Sequence, residues 1–394
     1  MTLPTLARRT DHILPFHAMS IFKRSSELAR EGRDIISLGI GEPDFGAAPE
    51  VVRALHTASD AGLGRYSPAL GIPALREAIA QFYSDQFSAA VDPSRVIVTS
   101  GASGALLLGN MALVNQGDEV LMPDPCYPPN INFVTAAGGT TRLIPTEAQY
   151  GFQPTLEQVE SSWSDKTAGI LLASPGNPTG TSIDHERLSG IIESVHAKDG
   201  FVMMDEIYLG LSYTETRRSA LNLSQDLVIL NSFSKYFHMT GWRLGWMIVP
   251  EHMVLPIENL ASSLAICPPT LSQHAALACF TPDSLAVFEH RREAFKKRRD
   301  YFVHALESIG LTVPAQPDGA FYVYADISRF SHDSDELARQ LLELGSVAVV
   351  PGMDFGPTHA KRMIRLSYTM GIDRLEQAIE RMDKVINSPK TRLT

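Results

Sequence analysis

The sequence predicts an α/β fold: a large domain with a mostly parallel sheet covered by helices, and a smaller α/β domain built from both chain ends. Three observations carry this. From about residue 96, short continuously apolar runs alternate with longer amphipathic ones. Apolar strands separated by helices belong in a parallel sheet buried on both faces. From about Pro282 the rhythm changes to a long charged helix followed by a few short strands. No internal repeat, low-complexity stretch or long Pro/Gly linker divides the 394 residues further.

The elements follow in order. The first helix of the large domain starts near Pro49, so residues 1–48 form an N-terminal arm and part of the smaller domain. The large domain then covers 49–284 and the C-terminal part of the small one 285–394. In the large domain, 96–99 reads as a strand and 104–114 as a helix, then 119–122 as a strand and 130–137 as a helix. Strands at 169–173 and 201–205 flank a helix at 185–196, and strands at 227–231 and 245–249 close the series. In the small domain a helix at 285–309 leads to a strand at 320–324. A helix at 334–344, strands at 347–350 and 363–367, and a helix at 373–386 complete it. Ligands on sheets of this kind bind in loops at one edge of the strands.

Composition narrows the function. A hydrophobic content of 44% and charged content of 20% fit a globular protein. The net charge of −10 argues against sequence-independent nucleic-acid binding, which needs a basic face. Three cysteines, Cys126, Cys267 and Cys279, make neither a disulfide framework nor a metal-ligand spacing. Residues 1–9 lead into no long apolar stretch, so neither a signal peptide nor a membrane span is expected, and the sequence predicts a cytoplasmic protein.

The richest segment runs from Asn231 to Gly245. It sets Lys235 after an apolar run, with Ser232 and Ser234 on one side and Gly241-Trp242-Arg243-Leu244-Gly245 on the other. A lysine that must work as a neutral amine needs partial burial and a nearby fixed cation. Serine hydroxyls and a guanidinium fork also suit a phosphate. A reactive amine beside a phosphate site suggests pyridoxal 5'-phosphate, which binds lysine as a Schiff base.

Other strand ends offer what such a cofactor needs, each with a structural alternative. Ser100-Gly101-Ala102-Ser103-Gly104 presents backbone N–H groups at a helix N-terminus, or is only a tight turn. Asp205 suits the pyridine nitrogen, or caps a helix. Asn177, in the turn Ser174–Gly180, and Tyr208 suit the phenolic oxygen; for Asn177 the alternative is an Asx-turn. Tyr127 suits the face of the ring, or is a core aromatic. Arg365, inside an apolar strand, requires an anion, which a substrate carboxylate or an internal ion pair would supply.

The order of these motifs resembles the class I/II aminotransferases of fold type I, the aspartate-aminotransferase-like superfamily. The motifs are Gly39-Ile40-Gly41-Glu42-Pro43-Asp44-Phe45, Tyr66-Ser67-Pro68 with Gly71-Ile72-Pro73-Ala74-Leu75-Arg76, Ser174 to Gly180, Asp205 to Tyr208, Ser232 to Gly245, and Arg365. The resemblance implies a seven-stranded large sheet and a homodimer with shared active sites. It implies that Lys235 holds pyridoxal 5'-phosphate and later shuttles a proton. Ser232, Ser234 and Arg243 would bind its phosphate with the N–H groups near Gly101, Ala102 and Ser103. Asp205 would meet the pyridine nitrogen, Asn177 and Tyr208 the phenolic oxygen, and Tyr127 the ring. Arg365 would take the α-carboxylate, helped by Asn177 and the backbone at Ile40 and Gly41. Tyr66 would reach the phosphate of a partner subunit.

Substrate choice is less constrained. Some aspartate-specific relatives carry a basic residue at the position of Ser103, which binds the distal carboxylate. With serine there, and with Phe16, Ile40, Tyr66, Trp242 and Phe321 as pocket walls, a neutral or hydrophobic L-amino acid is the expected donor, aspartate remaining open. The expected acceptor is 2-oxoglutarate or pyruvate. A carbon–sulfur lyase and a non-catalytic regulatory protein are the alternatives on this fold.

Overall fold

The computed structural model describes residues 5–13, 15 and 18–388. Its strands are β1 (Ile36–Ser37), β2 (Val96–Thr99), β3 (Glu119–Asp124), β4 (Thr140–Pro145), β5 (Thr167–Ala173), β6 (Phe201–Asp205), β7 (Val228–Ser232), β8 (Gly245–Ile248), β9 (Tyr322–Asp326), β10 (Val347–Ala348), β11 (Val350–Pro351) and β12 (Met363–Ser367). The helices are α1 (Ala18–Arg30), α2 (Pro49–Asp60), α3 (Pro73–Phe87), α4 (Gly101–Leu113), α5 (Pro128–Ala137), α6 (Leu156–Ser162), α7 (His185–His196), α8 (Glu251–Ala265), α9 (Thr270–Ala276), α10 (Pro282–Ser308), α11 (Ser334–Gly345) and α12 (Ile372–Ile386).

Seven strands form the large sheet in the order β2-β8-β7-β6-β5-β3-β4. Only β8 runs against its neighbours, β2 and β7. The apolar runs are explained by burial on both faces. Val98, Leu172, Met204 and Ile229 pack into one core, while Ile97, Leu171, Met203 and Leu230 pack into the other. Successive residues of a strand point to opposite faces, so a strand buried on both must be apolar throughout.

The strand that sequence reading passes over, β4, has a different pattern. It lies at the sheet edge with exposed Thr140 and Arg142 and half-buried Thr141 and Leu143. Such a strand shows no continuous apolar run. The expected strand at 347–350 is in fact two. Val347 and Ala348 pair with Ile36 and Ser37, whereas Val350 and Pro351 pair with Arg365 and Ile364. The chain changes sheets at Val349.

Because β2, β7, β6, β5 and β3 all point the same way, their carboxyl ends share one edge. The register makes Ala173, Asp205 and Leu230 successive neighbours, with Thr99 and Ser232 both opposite Gly245. The sheet β11-β12-β9 contributes Arg365 from its middle strand. No helix among the described residues is long and apolar enough to cross a membrane.

Candidate active site

A cavity of about 600 Å³ opens at this edge, a size usual for small-molecule sites. Ile40, Gly41, Ala102, Ser103, Tyr127, Asn177, Asp205, Tyr208, Ser232, Ser234, Lys235, Arg243 and Arg365 border it. Residues 325 positions apart in sequence thus meet because β12 delivers Arg365 opposite the large-sheet edge.

Lys235 follows β7 and opens partly onto the cavity. Its Nζ donates to the Gly41 carbonyl at 2.6 Å and lies 6.0 Å from the centre of the Tyr208 ring. Burial, reinforced by the Arg365 charge, lowers its pKa to about 8. The amine is therefore available near neutral pH.

Ser232 and Ser234 sit at the end of the same strand. The Ser232 hydroxyl donates to the Ser234 hydroxyl at 2.9 Å and accepts from the Ser234 N–H at 3.0 Å. Arg243 adopts a left-handed φ of 53° and donates from Nη1 to the Thr240 carbonyl at 3.0 Å. Its Nη2 faces Gly101 so closely that a Cβ there would approach to 2.7 Å. Gly101 itself has φ +71°, begins α4, and keeps the helix N-terminus open. Helix α4 begins three residues before the expected position at 104, so Ala102 and Ser103 stand in its first turn.

Asp205 ends β6 and is buried; its Oδ1 accepts from the Ile207 N–H at 3.0 Å. Burial lifts its pKa to about 6. A cation against this carboxylate would hold it ionised. Glu206, next in the chain, turns away and is secured by the Ala220 N–H at 2.7 Å and the Tyr83 hydroxyl at 3.2 Å. That fixes the strand end which presents Asp205.

Arg365 is buried, with half of its fork already engaged. Nη1 donates to Asn177 Oδ1 at 2.9 Å and Nη2 to the Gly39 carbonyl at 2.7 Å. Its Nε has no partner among the described residues. No carboxylate among the described residues pairs with Arg365, which removes the internal ion pair as its explanation. The guanidinium lies 4.5 Å from the centre of the Tyr322 ring, and the Tyr322 hydroxyl is 2.8 Å from that of Tyr208.

Three expected wall residues do not border the cavity. Phe321 is fully buried, edge-on to Tyr208 with ring centres 5.4 Å apart, and its neighbour Tyr322 is the wall. Trp242 borders a separate hollow with Glu42 and His238. Tyr66 is 82% exposed and away from this chain's own cavity. Phe16 lies outside the described residues. Sequence reading missed Tyr322, whose place follows from strand alternation in β9. It also missed α1, whose Phe22, Ser25 and Ser26 border the cavity. No cluster of metal-binding side chains occurs among the described residues.

Comparison with known proteins agrees with this architecture. Residues 33–382 match the family model "Aminotransferase class I and II". The chain is similar to a valine–pyruvate aminotransferase of Mycobacterium tuberculosis, 38% identical over 371 residues that cover 93% of this chain and 95% of the relative. It is similar to an aspartate aminotransferase of Thermotoga maritima, 33% identical, covering 97% of this chain and 100% of the relative. In structure it resembles the aspartate aminotransferase of Thermus thermophilus with maleate, with a TM-score of 0.92, 34% identity, and coverage of 97% and 100%. A family match across most of the chain, relatives above 30% identity along almost their full length, and the shared fold lead to one assignment: this chain belongs to the class I and II aminotransferase family, which generally uses pyridoxal 5'-phosphate.

Proposed function

We propose that this aminotransferase holds pyridoxal 5'-phosphate at Lys235 and moves the amino group of a neutral or hydrophobic L-amino acid to pyruvate or 2-oxoglutarate. The observation that carries this is the pair of bonds around Ile40. Arg365 donates to the Gly39 carbonyl and Lys235 to the Gly41 carbonyl. A carboxylate anchor and a low-pKa amine are thereby held on either side of one residue, and both border one cavity.

The residues fit the cofactor. Ser232, Ser234, Arg243 and the first turn of α4 suit its phosphate, and the Gly101 cradle leaves room where a Cβ would strike Arg243. Asp205 suits the pyridine nitrogen, Asn177 and Tyr208 the phenolic oxygen, and Tyr127 the ring face. When bound, this cofactor supplies an electron sink for the electrons of the substrate Cα–H bond. Arg365 orients the substrate through its carboxylate. Lys235 Nζ takes the Cα proton and later returns it, a role its lowered pKa favours.

Ser103 brings no charge to the cavity, which supports a neutral donor, as does similarity to the valine–pyruvate enzyme. Similarity to the aspartate aminotransferase of Thermotoga maritima keeps aspartate as a second donor to test. The exposed Tyr66 supports a homodimer in which it enters the partner's site. Pairing of β1 with β10 supports joining residues 1–48 to 285–394 in the smaller domain, around 49–284 as the larger one.

Borohydride treatment of the cofactor-loaded protein tests the site. The cofactor should become fixed to the peptide containing Lys235, and Lys235→Ala should prevent this while retaining non-covalent binding. Fixation on another lysine would overturn the assignment.

A further inference from the structure

The cavity continues past the reacting centre to one face of α1. Phe22, Ser25 and Ser26 border it from the helix, and Ile35, Ser37 and Ile40 from the following segment. The junction with the carboxylate anchor is direct. The Phe22 ring packs so closely on Gly39 that a Cβ there would meet its Cε1 at 2.9 Å, and the Gly39 carbonyl is the acceptor for Arg365 Nη2. Ile40, 45% exposed, stands between that anchor and Lys235. An amino acid with its carboxylate at Arg365 and its Cα at Lys235 would send its side chain over Ile40 toward Phe22.

This end of the cavity has no charged side chain among the described residues. The positive charges bordering the cavity, those of Lys235, Arg243 and Arg365, belong to the reacting centre. Buried hydroxyls of Ser25 and Ser37 border it without hydrogen-bond partners among the described residues. An apolar wall with a few hydroxyls accepts an uncharged side chain, but leaves a distal carboxylate desolvated and without a cation. Ser26 is exposed at the outer rim, so length is not blocked there.

We infer that the chamber between Ile40 and α1 is the side-chain subsite, and that it selects long uncharged side chains, of the leucine, methionine or norleucine kind. The inference rests on the amino-transfer reading. Donor and acceptor use one site in turn, so the same chamber favours uncharged 2-oxo acids over dicarboxylic ones. Phe22 and Ile35 are the specificity-determining walls.

The test is a series of half-reactions with cofactor-loaded protein, using L-alanine, L-norvaline, L-norleucine and L-glutamate. The rate at limiting amino acid should rise by about tenfold from alanine to norleucine, a gain typical of apolar pocket filling. Glutamate should fall below norleucine. Phe22→Ala should lower the norleucine-to-alanine ratio, and Ser26→Lys, which adds a cation at the rim, should raise the glutamate-to-norleucine ratio by about fivefold. The second variant gains a preference, which misfolding cannot imitate. Glutamate ahead of norleucine in the unaltered protein, or ratios that neither variant moves, would overturn the subsite while leaving amino transfer intact. A protein that responds to no amino acid at all would overturn amino transfer and the subsite with it.

Discussion

Arg365 donates from Nη1 to Asn177 Oδ1 at 2.9 Å, so the side chain proposed to anchor the substrate is held by one proposed to contact the cofactor. Under that proposal, substrate orientation and cofactor electronics share a residue. Asn177→Ala should damage both. A hydrogen bond to a charged group contributes about 2 kcal/mol, or roughly thirtyfold, to amino-acid binding. Half-reaction titrations should show that loss in affinity, together with a shift in the pH at which the cofactor's visible band changes. Unaltered affinity would show that Arg365 needs no help from Asn177.

Tyr322 extends this arrangement. Its ring lies under the Arg365 guanidinium and its hydroxyl meets Tyr208. Tyr322→Phe keeps the ring and should mainly alter the cofactor spectrum through Tyr208. Tyr322→Leu removes the ring and should weaken amino-acid binding by about 1 kcal/mol, roughly fivefold. Equal effects of the two variants on binding would contradict this division of roles.

Gly101 is where backbone conformation and the proposed phosphate site coincide. Its φ of +71° disfavours any side chain, and a Cβ would meet Arg243 Nη2. Gly101→Ala should cost about 1–2 kcal/mol of stability from the left-handed backbone. It should also weaken cofactor binding by about tenfold as Arg243 is displaced, since a lost charge-assisted contact is of that order. Titration of the apoprotein with pyridoxal 5'-phosphate and thermal melts of the apoprotein separate the two effects.

The lowered pKa of Lys235 makes a signed prediction for the apoprotein. Between about 8 and the ordinary lysine value of 10.5, the unfolded chain keeps the proton that the folded protein has lost. Stability then rises with pH across that window, and the penalty of burying the charged amine is greatest below it. Lys235→Met removes this contribution. The melting temperature of unaltered apoprotein minus that of the variant should climb from pH 8 to pH 10. A flat difference would mean that the amine is not perturbed.

Much of this site was legible because its residues follow strands that are apolar on both faces. Asp205 and Ser232 end such strands and Asn177 lies in the turn after one, and strand ends of a parallel sheet converge on one edge. Arg365 was legible as a charge within an apolar run. What escaped reading depends on packing between distant segments. Strand β4 is polar because it lies at an edge. Tyr322 and Phe321 are adjacent aromatics, and only the alternation of β9 decides which meets the cavity. Helix α1 has Ser25, Ser26 and Arg24 among its apolar residues, and its role appears only when β1 pairs with β10 and carries it to the site.

The central claim is that the Lys235 cavity takes the amino group from an uncharged amino acid. Its most direct test mixes cofactor-loaded protein with one L-amino acid at a time, without a 2-oxo acid, and follows the cofactor's visible absorbance. Valine, leucine and methionine should each discharge that absorbance in a single turnover, and added pyruvate should restore it. Discharge by aspartate alone, or continuous release of ammonia and a 2-oxo acid without an acceptor, would contradict the account.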